Sequence, residues 1–407
     1  MASSDDWRAL LSSSERYDNV HAITEALEAD SLSPNSYQSA FSLENEAYKT
    51  SASRLPSGSH SKQDQYDAAC RNAAARGAAP TVEDHEASIN DGTQESPGIT
   101  IGRYSNCHYF ASGVTAEVYR CKTVALKVIT NGHKMEPHNP QREAKILGLL
   151  KKPCIPLLET FRDQEQRFTL AFPFMPLSLE NLIRQGPLPK SRVRSHFRDL
   201  FGALRDIHQK GIIHRDIKPS ALLLESPDGP AYLSDFGTAW HPTLSINAEP
   251  AHRKILDIGT GPYRAPEVLF GNKSYGPPVD MWGAGVMLAE CCRDPPSPLF
   301  ESRPVSEDGN QLGLILSIFK TIGSPTPETW PEALGFLTPP FETYQSFQGE
   351  DWANLLSGVD GSFQELIMNL VTYESSQRPS AAQAVPFKGQ QVAKYPKAIP
   401  PCNPGKI

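Results

Sequence analysis

His214–Leu224 reads H-R-D-I-K-P-S-A-L-L-L. The stretch carries a carboxylate able to act as a base, Asp216, a lysine able to contact phosphate, Lys218, and the start of an apolar strand at Leu222. It reads as a catalytic loop. H-R-D-x-K-P can arise by chance in a large chain, so its weight depends on what stands around it.

Length and composition bound the setting. The chain has 407 residues, normal apolar content and a formal charge of -7. This describes one large domain or two smaller ones. The mild acidity argues against nucleic acid as a partner, because no basic stripe is available to displace phosphate counterions. No apolar run approaches the roughly 20 residues of a membrane span, and the start, M-A-S-S-D-D-W, has neither a basic region nor an apolar core. An intracellular protein, cytoplasmic or nuclear, is expected. The 7 cysteines show no C-x-x-C spacing and read as reduced, mostly buried thiols.

Residues 1–97 are rich in Ser, Ala, Asp and Glu and are expected to be largely disordered, with a helix over Asp18 to Ala29 that sets Val20, Ile23 and Leu27 on one side. The expected structured domain covers 98–390, followed by a tail over 391–407. Period-two patterns over Gly102–Phe110, Glu117–Arg120 and Cys121–Ile129 predict the first three strands of an antiparallel sheet. In V-A-L-K, Lys127 alternates with Val124, Leu126 and Val128, which delivers its ammonium away from the apolar face. Pro140 fits the first turn of a helix that Pro137 prevents from extending upstream, so that helix is short and presents Glu143. Phe161–Leu170 predicts two more strands, and A-F-P-F-M-P links this part to a helical remainder. The helix Lys190–Lys210 carries Val193, Phe197, Leu200, Leu204 and Ile207 at spacings of three and four and stops at Gly211. Ala231–Ser234 is a short strand leading into D-F-G at Asp235.

V-A-L-K, the loop, D-F-G and the later stretches G-T-G-P-Y-R-A-P-E-V-L and D-M-W-G-A-G-V-M-L-A-E-C occur together, in this order. From about residue 99 to 388 the chain resembles a eukaryotic protein kinase of the cyclin-dependent kinase branch. The insertion from P-L-F through Q-L-G-L-I-L-S-I-F-K-T-I-G-S-P-T-P-E-T-W-P points to that branch in particular. The resemblance implies an α+β, bilobal fold with a small antiparallel-sheet lobe and a larger helical lobe. It also implies serine/threonine specificity with ATP and Mg2+ as cofactors. Carried over position by position, Asp216 is the catalytic base, Lys218 contacts the transferred phosphate and Thr260 stands beside Asp216. Lys127 pairs the first phosphates with Glu143 as its partner, and Asp235 is the metal ligand. Gly113, Val118, Ala125, Phe172, Pro173, Met175 and Leu223 line the nucleotide site, with the backbone of Pro173 and Met175 at the adenine edge. Glu267 is expected to pair with Arg378, and Asp280 to hold the backbone of the catalytic loop.

The departures from the family pattern are specific. Ala221 stands where an asparagine usually ligates magnesium, and a methyl group cannot ligate a metal. The glycine-rich loop reads Ala111, Gly113 and Ala116, and an alanine in a left-handed conformation costs roughly 1 to 2 kcal/mol, so the loop is differently shaped or less intimate with the phosphates. The helix that usually binds a cyclin reads P-H-N-P-Q-R-E here, which argues against a cyclin partner. Ile255 stands where these kinases carry an activating phosphothreonine. Of the three arginines that grip that phosphate, Arg142 and Arg215 remain and Trp240 replaces the third. Asp257 and Glu249 are the candidates to supply Arg215 with negative charge. Ile258 and Gly259 replace the paired valines of the substrate-docking turn, which argues against proline-directed specificity.

This combination resembles the fungal monomeric CDK-activating kinases. It implies a cyclin-independent monomer whose protein substrate is another kinase, phosphorylated on its activation threonine. The competing class is a pseudokinase scaffold, supported by Ala221 and the lost glycines. Lys127, Glu143, Asp216, Lys218 and Asp235 together favour an enzyme.

Overall fold

The computed structural model describes residues 98–385 except 114, 131–135, 303–310 and 342–343. The expected N-terminal extension, its Asp18–Ala29 helix and the C-terminal tail lie outside the described residues.

Among the described residues, six strands form one antiparallel sheet in the order β1-β2-β3-β4-β6-β5. They are β1 (Ile99–Ile101), β2 (Tyr104–Ser112), β3 (Ala116–Cys121), β4 (Val124–Ile129), β5 (Glu159–Arg162) and β6 (Phe168–Pro173). The alternation in V-A-L-K has the expected effect, with Leu126 and Val128 wholly buried on one face and Lys127 on the other. The sequence places a strand from Gly102, whereas a separate strand, β1, precedes it and folds back on β2, pairing Ile101 with Tyr104.

The thiols need a correction. Cys107 and Cys121 form a disulfide, while Cys154, Cys291 and Cys292 are free. His108 pairs with Arg120, so the next opposed pair across β2 and β3 is Cys107 and Cys121, with Cα atoms 4.4 Å apart. That separation is the spacing of a non-hydrogen-bonded antiparallel pair and lies at the short end of the disulfide range. The pairing depends on register, which cysteine spacing does not reveal.

Helix α1 (Pro140–Leu147) is short, as expected. Asn139 caps it by accepting from the Arg142 N–H at 2.9 Å, and Pro140 takes the first helical position. Beyond β6 the chain crosses into the helical lobe, built on α2 (Leu179–Arg184), α3 (Lys190–His208), α4 (Pro278–Cys292), α5 (Leu312–Ile322) and α6 (Gly361–Leu370). The five apolar residues read from the sequence on α3 are all buried, and its capping residue Gln209 precedes Gly211.

Helix α4 is buried on all sides from Val279 to Cys291, so its neighbours press close. A Cβ on Gly283 would stand 3.0 Å from the Ile217 carbonyl oxygen, and one on Gly285 would stand 2.6 Å from Cβ of Leu370. The two glycines let α4 touch the catalytic loop on one side and α6 on the other. A second antiparallel sheet, β7 (Leu177–Ser178), β8 (Leu222–Leu224) and β9 (Ala231–Leu233), carries the ends of the catalytic loop and of D-F-G into the cleft between the lobes.

Candidate active site

A strand, a helix and the segment after β9 bring charge to one point. Lys127 on β4 donates to both carboxylate oxygens of Glu143 on α1, at 2.9 and 3.0 Å, and to Oδ1 of Asp235 at 3.0 Å. Burial opposes the charged lysine, but Asp235 and Glu143 overcome it and hold the ammonium above its ordinary range. Lys127 in turn holds Asp235 well below the usual carboxylate range. Asp235 is ionised at neutral pH and half exposed to the cleft.

A second cluster lies on the catalytic loop. Thr260 donates to Oδ1 of Asp216 at 2.6 Å, Lys218 reaches Oδ2 of Asp216 at 2.6 Å, and Lys218 donates to the Thr260 hydroxyl at 3.2 Å. The loop is held from below by Asp280 of α4, which accepts from the N–H groups of His214 and Arg215 at 2.9 and 2.8 Å. His208 bonds the same carboxylate at 2.8 Å. Arg215 and Asp235 adopt left-handed backbone conformations, φ 73° and 59°. Non-glycine residues do so rarely, and the bonds to Asp280 and Lys127 fall on or beside them.

The residues expected around the nucleotide fall on both lobes. Val118 pairs with Lys127 across β3 and β4, and Ala125 pairs with Phe172 across β4 and β6. Pro173 ends β6 opposite Val124, and Phe174 donates its N–H to the Thr123 carbonyl at 2.8 Å. Met175 is buried behind this crossing, while Leu223 on β8 is half-buried in the other lobe. Gly113 donates its N–H to the Ala116 carbonyl at 2.8 Å. Neither Ala111 nor Ala116 has positive φ. Both lie in strands, Ala111 beside a register irregularity, and both escape the strain of a left-handed alanine.

Ala221 is buried, and its carbonyl accepts from the Ser234 hydroxyl at 2.8 Å. Ser234 therefore spends its proton on the backbone of the very position that lacks a metal ligand.

Of the two acids considered for Arg215, Asp257 is engaged elsewhere, accepting from Arg264 at 2.9 Å. Glu249 takes the role, bound by Arg215 at 2.6 and 3.0 Å. Trp240, at the replaced arginine position, donates its indole N–H to the Glu249 carbonyl at 2.9 Å. Glu267 and Arg378 form the expected pair, at 2.7 and 2.8 Å.

Two features were not singled out from the sequence. His138 sits between Pro137, whose carbonyl Arg142 grips, and Asn139, whose N–H donates to the Gly237 carbonyl at 3.0 Å. Burial lowers the pKa of its imidazole, and the charges of Asp235, Asp216, Lys127 and Lys218 all act on it. The other is Glu290 on α4, which accepts from the Tyr263 hydroxyl at 2.6 Å. No local pattern marks either residue, because the segments that surround them are remote in sequence.

Burial pushes Glu290 up from its ordinary 4.5 to about 7. Between those values the unfolded chain releases the proton and the folded chain keeps it, so stability falls as pH rises through that window. Glu290→Gln should remove this fall, worth roughly 2 to 3 kcal/mol at about 1.4 kcal/mol per unit. Urea unfolding of both proteins near pH 5 and near pH 8 checks it, and parallel pH dependences would contradict it.

The protein kinase domain model matches residues 104–388. The chain belongs to the protein kinase family. The kinase is 30% identical to serine/threonine-protein kinase csk1 of Schizosaccharomyces pombe, over 74% of this chain and 99% of that protein. It is 31% identical to cyclin-dependent kinase 7 of Xenopus laevis, over 70% of this chain and 80% of that protein. With serine/threonine-protein kinase CAK1 of Saccharomyces cerevisiae it shares 28% identity, over 56% of this chain and 76% of that protein. The two lobes are those of the bilobal kinase fold, and the protein is a serine/threonine kinase of the cyclin-dependent kinase type. Among the described residues, no helix is long and apolar enough to cross a membrane.

Proposed function

We propose that this kinase transfers the terminal phosphoryl group of magnesium-bound ATP to the activation threonine of another cyclin-dependent kinase, acting as a cyclin-independent monomer. The observation that carries the reading is the bridging of Glu143, Lys127 and Asp235 within 3.0 Å, beside an Asp216 already bonded to a threonine hydroxyl. Phosphoryl transfer asks the protein for positioning and charge neutralisation more than for covalent chemistry. Lys127 would pair the first phosphates and Lys218 the transferred one. Asp216 would orient the acceptor hydroxyl and take its proton late in the transfer. The Thr260 hydroxyl marks where a substrate hydroxyl competes for that carboxylate. Val118, Ala125, Phe172 and Leu223 would enclose the adenine, with the backbone of Pro173 and Met175 at its edge and Gly113 over the phosphates.

Magnesium, when bound, supplies positive charge to the phosphate oxygens. Asp235, ionised and open to the cleft, fits one ion, whereas the buried methyl of Ala221 offers nothing to a second. Ala221→Asn should therefore lower the magnesium concentration for half-maximal ATP binding several-fold, and an unchanged magnesium titration would refute this account. The likeness to csk1 and CAK1 supports the choice of substrate, as does Ile255 at a position that cannot accept phosphate.

The test offers labelled magnesium-ATP with a catalytically dead cyclin-dependent kinase and, separately, a generic basic protein. Transfer confined to the activation threonine supports the reading. Ala221 favours one other reading, a scaffold that binds ATP without transfer. ATP binding by thermal shift with no labelled acceptor would establish that one instead.

A further inference from the structure

Two arginines stand next in sequence to site carboxylates: Arg215 precedes Asp216, and Arg142 precedes Glu143. Both guanidinium side chains are buried. A buried charge without a partner is costly, so what pairs them governs where their neighbours lie. Glu249, itself fully buried, binds Arg215 with both oxygens, and its Oε1 stands 3.8 Å from Nη1 of Arg142. Its Oε2 also accepts the Ile255 N–H at 3.0 Å. Burial works against the charged form, but the bonds from Arg215 outweigh it and keep the Glu249 carboxyl below its ordinary range.

The surroundings leave little freedom. The Glu249 N–H donates to the Ser245 carbonyl at 2.8 Å and its carbonyl accepts from Trp240. Arg215 also donates to the Thr238 carbonyl at 2.6 Å and to the Tyr275 hydroxyl at 3.1 Å, and that hydroxyl donates to the Ile255 carbonyl at 2.7 Å. Arg142 has a second acid, Glu136, at 2.8 Å. Two guanidiniums thus face two carboxylates, with the buried Lys254 as a third cation acting on Arg215 and Glu249; both guanidiniums have acid partners without a phosphate.

We infer that Glu249 is a positioning residue that closes the active conformation from within, tying the loop of Asp216, the helix of Glu143 and the segment at Ile255 to one carboxylate. Assembly of the cleft then requires neither phosphate on that segment nor a second protein pressing on α1. The inference rests on the reading of the cleft as a phosphoryl-transfer site and adds its regulation.

The experiment uses the full chain, made free of phosphate by phosphatase and verified by intact mass, with wild type, Glu249→Gln and Glu249→Asp compared. The readouts are transfer to the dead cyclin-dependent kinase and hydrogen exchange. Wild type should be as active without phosphate as before treatment. Glu249→Gln should lower kcat about 10- to 100-fold with KM for ATP within about twofold, and Glu249→Asp should recover part of the loss. Exchange in Glu249→Gln should rise at least several-fold together over 140–147, 214–217 and 249–258. Exchange unchanged in the first two segments overturns the inference, as does wild-type kcat in Glu249→Gln or a wild type that phosphatase silences. Should wild type transfer no phosphate while exchange still rises in all three segments, the clasp stands and the phosphoryl-transfer reading falls.

Discussion

Asp216→Asn should lower the rate of phosphoryl transfer by roughly 10² to 10⁴, the usual contribution of a positioned general base. The substitution preserves size and leaves an amide oxygen for the Thr260 hydroxyl, so the 2.6 Å contact has a neutral replacement. It removes the charge that faces Lys218 at 2.6 Å and the carboxylate that would take a proton from the acceptor. Lys127, Glu143 and Asp235 form a separate cluster, so nucleotide affinity should stay within a few-fold. Single-turnover transfer beside ATP binding separates the two effects. A variant that transfers phosphate at the wild-type rate would remove Asp216 from the mechanism.

The second large effect concerns stability. Arg378→Met should destabilise the helical lobe by about 3 to 5 kcal/mol, the cost of leaving one member of a buried ion pair uncompensated. Glu267 and Arg378 are essentially unexposed, and the guanidinium also donates to the carbonyls of Thr372, Pro278 and Tyr373. Removing it strands a carboxylate and orphans backbone acceptors together, and it also removes the cation 5.0 Å above the Trp282 ring. Against a total stability of about 5 to 15 kcal/mol this is a large fraction. Replacing both partners, Glu267→Leu with Arg378→Met, should recover part of the loss because no charge is then left unpaired. Urea midpoints for the three proteins check this, and equal midpoints for the single and double variants would count against it.

Much of the site was legible because its residues sit in short local patterns. Lys127 is readable from alternation on one strand, Glu143 from a helix whose start two prolines fix, and Asp216, Lys218 and Asp235 from two loops. The acid facing Arg215 could be narrowed to Glu249 or Asp257 but no further. Both are near in sequence, and which one turns inward depends on Trp240, Ser245 and Tyr275 packing around it. The register of β2 on β3 decided the disulfide in the same way. That the glycine-poor loop carries no strained alanine also came from the strands, since Ala111 and Ala116 lie in β2 and β3 without positive φ.

By itself, the sequence determined most of the strands and helices and the charged residues of the cleft, because these depend on periodicity, proline position or a motif a few residues long, and the two-lobed plan followed from the family resemblance that those motifs carry. Tertiary structure alone decided the contacts that no motif names. Glu249 with Arg215 and Arg142, Glu290 with Tyr263 and His138 beside the lysine and aspartate cluster are contacts between separate segments, and Cys107 meets Cys121 across neighbouring strands. Their partners are chosen by the cost of burying an unpaired charge or polar group, or by strand register, and neither is visible until the chain has folded.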